Sequence, residues 1–224
     1  MKLLASAALS LLVVLPIAAQ APVPVLNEPR HHLKFENQFV RVFDVQVPPG
    51  DTTLFHIHSN DYLFVSIGDA TLKAEVLGSQ PGDLIVKNGE CRYSKAPLTH
   101  RVTNVAKEQF RNITIEVLKS PGIGAGAGAE EKEIPGYTLV LDNDRVHVER
   151  VVIEPGQSIP THTHLRSGLG VAVSAAEIQI ESPGQKPRTV QFEPGGFQWL
   201  DGPQTHSMKN VGNTRFEAIH IDWK

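Results

Sequence analysis

The chain has a single cysteine, Cys91, among 224 residues. One thiol cannot close an internal disulfide, and its solitude excludes the cysteine-rich zinc motifs. We expect Cys91 to be a small buried residue rather than a reactive thiol. Lysine and arginine never cluster, and the formal net charge is only -3. Without a basic stripe to follow a phosphate backbone, no nucleic-acid partner is expected. Helical periodicity is also absent: beyond residue 20, no stretch repeats apolar residues at the spacing of an amphipathic helix.

Long apolar runs are confined to the start, "MKLLASAALSLLVVLPIAAQ". Lys2 precedes an apolar run from Leu3 to Leu15, and small residues follow. This pattern predicts a secretory signal peptide over residues 1–19, with cleavage after Ala19. The run is too short for a comfortable membrane span. The expectation is an exported protein, secreted or periplasmic, with no membrane contact after cleavage.

What the chain does have is a copy of itself. The 106 positions that separate His56 from His162 also separate His58 from His164, His100 from His206 and Asn104 from Asn210. Pro49–Gly50 falls on Pro155–Gly156, Gly89 on Gly195, and Phe110 on Phe216 at the same offset. One gapless offset through three histidines and their flanking glycines marks a two-unit internal repeat. The stretch "SPGIGAGAGAEEKE" lies between the copies and has the composition of a flexible linker. We place the first unit at 27–119, the linker at 120–132 and the second unit at 133–224.

Each unit reads as all-β. "FVRVFDVQVPPG" alternates apolar residues and stops at Pro-Pro-Gly, and "RVHVERVVIEPG" does the same in the second copy. Many short strands with frequent Gly and Pro imply a sandwich or barrel.

"FHIHSND" and "PTHTHLRS" each write His-x-His. Along a strand, residues i and i+2 point to one face, so each pair can share an ion if a third ligand arrives from another strand. His100 and His206 are the candidate third ligands, because the repeat carries them along. Three imidazoles with open positions suit Fe, Mn, Cu, Ni or Zn.

These residues resemble the two sequence motifs of the cupin family. Gly50-x5-His56-x-His58 with Gly89-x10-His100-x3-Asn104 matches once, and Gly156-x5-His162-x-His164 with Gly195-x10-His206-x3-Asn210 matches again. The resemblance covers nearly the whole chain after residue 19 and implies a bicupin: two tandem jelly-roll β-barrels, each holding a divalent metal on His56, His58 and His100 or on His162, His164 and His206. The first motif of the family usually adds a glutamate. Here Asp61 stands slightly early and is the candidate fourth ligand of the first site, with a turn residue as the alternative reading. The second copy has Ser167 at the matching position and no carboxylate in its motif. The usual prolines and glycine of the second motif are missing or shifted in "KAPLTH" and "DGPQTH".

Asn104 and Asn210 are expected to cap turns. His31, His32, His147 and His220 do not repeat and are assigned to surface or core, with His220 placed where it could line the second pocket. Tyr93 and Trp199 occupy matching positions as packing or pocket-wall aromatics, and Arg92 is a candidate partner for an acidic substrate. The resemblance implies three functions: an Fe(II) or Mn(II) enzyme, dioxygenase-like or decarboxylase-like, acting on a small organic molecule; a metal- or small-ligand-binding protein without turnover; or a structural bicupin. The last usually lacks the metal histidines, which this chain keeps. The motifs name no acid or base beside the metal. Asp61 tips the expected place of turnover towards the first unit.

Overall fold

The computed structural model describes residues 20–120 and 133–224. The expected signal peptide and residues 121–132 of the expected linker lie outside them. Among the described residues there are nineteen strands, one short 3-10 turn at Val25–Asn27 and no α-helix. No helix among them is long and apolar enough to cross a membrane.

The strands repeat at the offset that aligned the histidines. Val40–Val47, Tyr62–Ser66, Cys91–Ser94, Leu98–Asn104 and Phe110–Val117 of the first unit return as Val146–Ile153, Gly168–Ala172, Phe197–Leu200, Gln204–Asn210 and Phe216–Trp223. Each unit is two sheets face to face. In the first, one sheet runs Val23–Pro24, His56–His58, Leu98–Asn104, Ala70–Val76, Gly82–Val86, and the other runs His31–Glu36, Val40–Val47, Phe110–Val117, Tyr62–Ser66, Cys91–Ser94. The second unit repeats both in the same order, without an N-terminal edge strand among the described residues.

Three cores are stacked. One lies inside each unit, around Phe43, Leu72 and Phe110 in the first and Ile153, Ile178 and Phe216 in the second. The third joins the units and contains Leu63, Ile113 and Ile115 beside Leu169, Ile219, Ile221 and Trp223. The two inner sheets are therefore covered on both faces, which explains why Phe110–Val117 and Phe216–Trp223 are buried almost throughout. Their alternation still sorts side chains. Ile113, Ile115 and Val117 go to the joint core, leaving Asn112, Thr114 and Glu116 to the opposite face, towards the barrel interior. By the same rule the second unit turns Ala218, His220 and Asp222 inward. Aromatic pairs close the joint: Phe35 on Phe197, with centroids 6.4 Å apart, and Phe39 stacked on Trp199 at 5.9 Å.

Asn104 and Asn210 cap matching turns. The Asn104 amide donates to the Val47 and Glu108 carbonyls, and Asn210 donates to those of Ile153 and Thr214. Cys91 packs against the joint core, and burial pushes its thiol up to about 12, as expected of an unreactive residue.

Candidate metal centres

The pairing of strands assembles each histidine set. His56 lies directly opposite His100, and His162 directly opposite His206. An i, i+2 pair and a cross-strand partner share one face of a sheet, here the face inside the barrel. A backbone carbonyl then fixes the first ring of each set. His56 Nδ1 donates to the Leu54 carbonyl at 2.9 Å, and His162 Nδ1 to the Pro160 carbonyl at 2.8 Å. A carbonyl only accepts, so the proton is on Nδ1 and the lone pair on Nε2 faces inward, as metal-binding imidazoles require.

Burial, the leading cause in every case, holds these imidazoles neutral. It lowers His56 to about 3, His164 to about 2 and His206 to about 4, and it also lowers His58, His100 and His162. Neutral rings keep the lone pairs that ligands need. Among the described residues five buried ring nitrogens have no hydrogen-bond partner. Four are on expected ligands, His56 Nε2, His58 Nδ1, His100 Nε2 and His206 Nε2, and the fifth is Trp223 Nε1 in the joint core. Such atoms are expensive to bury unpaired. Their concentration on the expected ligands is what a cation-binding donor set looks like, so the residues fit a divalent metal.

The second barrel brings its trio together as expected. The candidate ligand atoms of His162, His164 and His206 all lie within 4.8 Å of one another. His162 Nε2 and His164 Nε2 are 3.1 Å apart.

The first barrel departs from expectation twice. The set that meets the same 4.8 Å limit is His31, His56 and His58, not the repeated trio. His100 stays close, its ring centroid 4.5 Å from His56 and 5.3 Å from His58. His31, assigned by sequence to surface or core, is thus part of the cluster, held by a 2.6 Å contact from its Nδ1 to the buried Glu28 carboxylate. Asp61 is the second departure. Both its oxygens are taken, one by the Tyr93 hydroxyl at 2.6 Å and the other by the Ala96 N–H at 2.8 Å. It belongs to no ligand group among the described residues. Asp61 thus takes its alternative reading, a turn residue that ties its loop to Tyr93 and to Ala96 before Leu98–Asn104.

Carboxylates that the motifs did not name enter from the last strand of each unit. Glu116 is buried between Arg41, whose Nη1 donates to it at 2.8 Å, and His58, whose Nδ1 is 3.6 Å away. Its counterpart Asp222 is 3.0 Å from His220 Nε2. The His220 ring centroid stands 4.2 Å from His164, and His164, His220 and Asp222 form a further group within 4.8 Å. Tyr137 also enters the second site, with its hydroxyl 3.5 Å from both His162 Nε2 and His164 Nε2. Glu116 with Asp222, and His31 with Tyr137, are separated by the same 106 positions as His56 and His162. Extending the repeat beyond the histidine motifs would have found all four. His147 pairs with Asp142 and His32 is exposed, as expected.

Access differs between the sites. His56 and His58 are each 1% exposed, whereas His162 and His206 are half-buried. The first barrel encloses a cavity of about 240 Å³, lined on one side by Tyr62, whose ring stacks on His58 at 3.9 Å. Its arginine is already engaged, as Arg92 binds Glu90 at 2.6 Å and the Ile85 carbonyl at 2.9 Å. The second barrel has a narrower cavity of about 100 Å³ with apolar walls from Val151, Phe192 and Met208 and polar groups from Gln198, Gln204 and Arg188. A broad groove outside it is also lined by His162 and His164.

The fold and the paired histidine clusters define a two-barrel β protein with residues in each barrel that could hold a metal ion. No protein-family model matches the sequence, and no curated protein matches it. Solved structures do. AerE from Microcystis aeruginosa is similar at 12% identity, with a TM-score of 0.59 over 88% of this chain and 98% of that one. A variant of oxalate decarboxylase from Bacillus subtilis is similar at 13% identity, TM-score 0.59, over 86% of this chain and 74% of that one. A cupin 2 conserved barrel domain protein from Leptotrichia buccalis follows at 13% identity and TM-score 0.53, over 86% and 87%. The chain has the cupin fold, twice over, with a histidine cluster in each barrel.

Proposed function

We propose that the protein is an exported metal-dependent bicupin whose second barrel acts on a small organic acid, while the first barrel holds its metal out of reach. The observation that carries this reading is the set of inward, partnerless imidazole nitrogens in a protein whose two clusters differ in access. His162, His164 and His206 hold the second ion; His31, His56 and His58, with His100 beside them, hold the first. An Fe(II) or Mn(II) ion so bound supplies Lewis acidity and a redox couple.

The chain's own residues support a choice of substrate. Arg188 lines the second cavity and forms no ion pair among the described residues, and its charge contributes to lowering His206. A carboxylate bound in this cavity meets the guanidinium, with Gln198 and Gln204 as further hydrogen-bonding groups. The apolar walls exclude water from the rest of the molecule. His220, braced by Asp222, stands beside His164 and is the acid–base group that the motifs lacked. Both dioxygenase-like and decarboxylase-like chemistry are served by this arrangement.

A second reading, metal or ligand binding without turnover, is favoured for the first barrel by its engaged Arg92 and by His56 and His58, each 1% exposed. The test is elemental analysis of protein purified from its native compartment, followed by O2 uptake and CO2 release with a panel of small carboxylic acids. Activity that needs His164 and Arg188 but survives His58→Ala supports the proposal. Activity that needs His58 and survives His164→Ala moves the reaction to the first barrel.

A further inference from the structure

Tyr137 occupies an unexplained position. It comes from Tyr137–Asp142, the edge strand of the inner sheet, yet its side chain turns into the second barrel and stands half-buried among histidines. Its hydroxyl does not hydrogen-bond well to any one of them. It stands 3.5 Å from His162 Nε2 and 3.5 Å from His164 Nε2, at the outer limit of a hydrogen bond in both directions. The two nitrogens are themselves 3.1 Å apart. His162 Nε2 carries a lone pair, because its Nδ1 proton is committed to Pro160.

Two ligand atoms each about 2.0–2.2 Å from one ion stand roughly 3.0–3.5 Å apart at bond angles of about 90–110°. The three separations 3.1, 3.5 and 3.5 Å all fall in that window. The hydroxyl and the two nitrogens thus form one triangular face of a coordination polyhedron. The first barrel supports this assignment independently. The repeat places His31 where the second unit has Tyr137, and His31 belongs to the ligand-distance group with His56 and His58. One structural position therefore presents a donor atom to the cluster in both barrels, an imidazole in the first and a phenol in the second.

We propose that Tyr137 is a fourth ligand of the metal in the second barrel, making that centre three histidines and a tyrosinate. This rests on the metal-site reading of the second barrel. On coordination the phenolic proton leaves to solvent and the oxygen lone pair forms the bond; no electron is transferred. A phenolate is a hard anionic donor, so this centre should hold the oxidised, ferric state of its ion, or Cu(II) supplied in its place, more tightly than the all-imidazole set of the first barrel does. The two barrels would then be built for different ions.

A tyrosinate bound to Fe(III) gives a visible phenolate-to-metal charge-transfer band, with phenolate modes in the resonance Raman spectrum. The chain has three tyrosines, so the source can be assigned completely. Tyr62 stacks on His58 in the first barrel, and Tyr93 is held by Asp61. The experiment loads the full chain with Fe(III), and separately with Cu(II), and records spectra and metal content for wild type, Tyr62→Phe, Tyr93→Phe, Tyr137→Phe and His164→Ala. Support requires a band in the wild type that is retained in Tyr62→Phe and Tyr93→Phe and lost in Tyr137→Phe, while Tyr137→Phe still binds more metal than His164→Ala. A colourless ferric wild type, or a band that survives Tyr137→Phe, overturns the tyrosinate and leaves the histidine site intact. Metal content identical in wild type and His164→Ala overturns the second metal site and the inference with it. Circular dichroism of each variant shows that it has folded, and Tyr137→Phe removes only an oxygen.

Discussion

Arg111 of the first unit donates from Nη1 to the Pro194 carbonyl of the second at 2.9 Å, and its guanidinium occupies the space that a Cβ on Gly195 would take. The second unit returns the contact: Arg150 Nη2 donates to the Gly89 carbonyl at 2.9 Å. Each arginine is braced by a carboxylate of its own unit, Asp44 for Arg111 and Glu217 for Arg150. Asp44 and Arg150 are repeat equivalents, as are Arg111 and Glu217, so the ion pair recurs with its charges exchanged. The two units are thus fitted to each other, around a joint core, by a reciprocal contact.

Gly195→Ala tests that contact. The backbone there has φ +81°, and a Cβ would sit 2.7 Å from Arg111 Nη2. The left-handed conformation alone costs about 1–2 kcal/mol for a residue with a Cβ. Gly156 has φ +79° with nothing within 4 Å of an added Cβ, so Gly156→Ala isolates that cost. We expect Gly195→Ala to destabilise the protein by about 1 kcal/mol more than Gly156→Ala, the worth of one displaced hydrogen bond. Urea denaturation midpoints of the two variants decide this, and equal midpoints would dissolve the contact's importance.

Ile115→Ala asks whether the barrels unfold as one body. Ile115 is fully buried in the joint core but belongs to the first unit. Both tryptophans, Trp199 and Trp223, belong to the second. The truncation should cost about 2–5 kcal/mol. Trp223 lies in the joint core and Trp199 stacks on Phe39 of the first unit, so tryptophan fluorescence reports the second barrel's face of that joint. If the joint core couples the units, it should lose its signal in the same single transition as circular dichroism. Two separated circular-dichroism transitions, only one of them lowered by the truncation, would mean independent barrels.

The candidate site was legible in the sequence wherever it depended on strand periodicity and repetition. His56, His58, His162 and His164 had to share a face by alternation, and the offset tied His100 and His206 to them. The misplacement of His31 came from asking which histidines repeat rather than which positions do: its counterpart is Tyr137, a different donor at the same place. Glu116 and Asp222 were hidden because they sit in apolar strands, where a carboxylate reads as solvent-facing. They face inward because the joint core claims the alternate residues, and no local pattern announces that a second unit covers the sheet. Asp61 failed because its oxygens are taken by Tyr93 and Ala96, partners that spacing alone does not report.

Asp61→Asn separates a turn anchor from a ligand. Metal content should be unchanged, because both carboxylate oxygens are already hydrogen-bonded and Asp61 belongs to no ligand group among the described residues. Stability should fall by about 1–2 kcal/mol at neutral pH, since the amide cannot accept from both Tyr93 and Ala96. Burial opposes ionisation of Asp61, but the Ala96 N–H and the Tyr93 hydroxyl outweigh it, and the carboxyl is held below its ordinary value. A group depressed in the folded state stabilises the fold above its unfolded pKa, about 3.9 for aspartate, and that contribution disappears as pH falls through the lower folded value. The stability gap between wild type and variant should therefore be full at pH 7 and narrow on acidification below about 4. Thermal melts across that range test the sign, and a drop in metal content would restore Asp61 as a ligand.

Glu28→Gln addresses the bracing of the first centre. The buried Glu28 carboxylate holds His31 at 2.6 Å and also accepts from the Arg30 and Leu54 N–H groups. A carboxylate behind a ligand imidazole orients the ring and raises its basicity, and losing such a partner typically weakens metal binding by about 10–100-fold. The glutamine keeps the size but only one acceptor oxygen, so it can hold the Arg30 N–H and His31 or the Leu54 N–H, not both, and the charge behind His31 is lost. The second unit has Ile134 at the matching position and no such brace on Tyr137. Chelator competition should therefore show one of two metal-binding phases weakened by about 10-fold or more and the other untouched. Two unchanged phases would mean that His31 is a bystander and that His56, His58 and His100 bind the ion alone. Two weakened phases would mean that the barrels report on each other through the joint core.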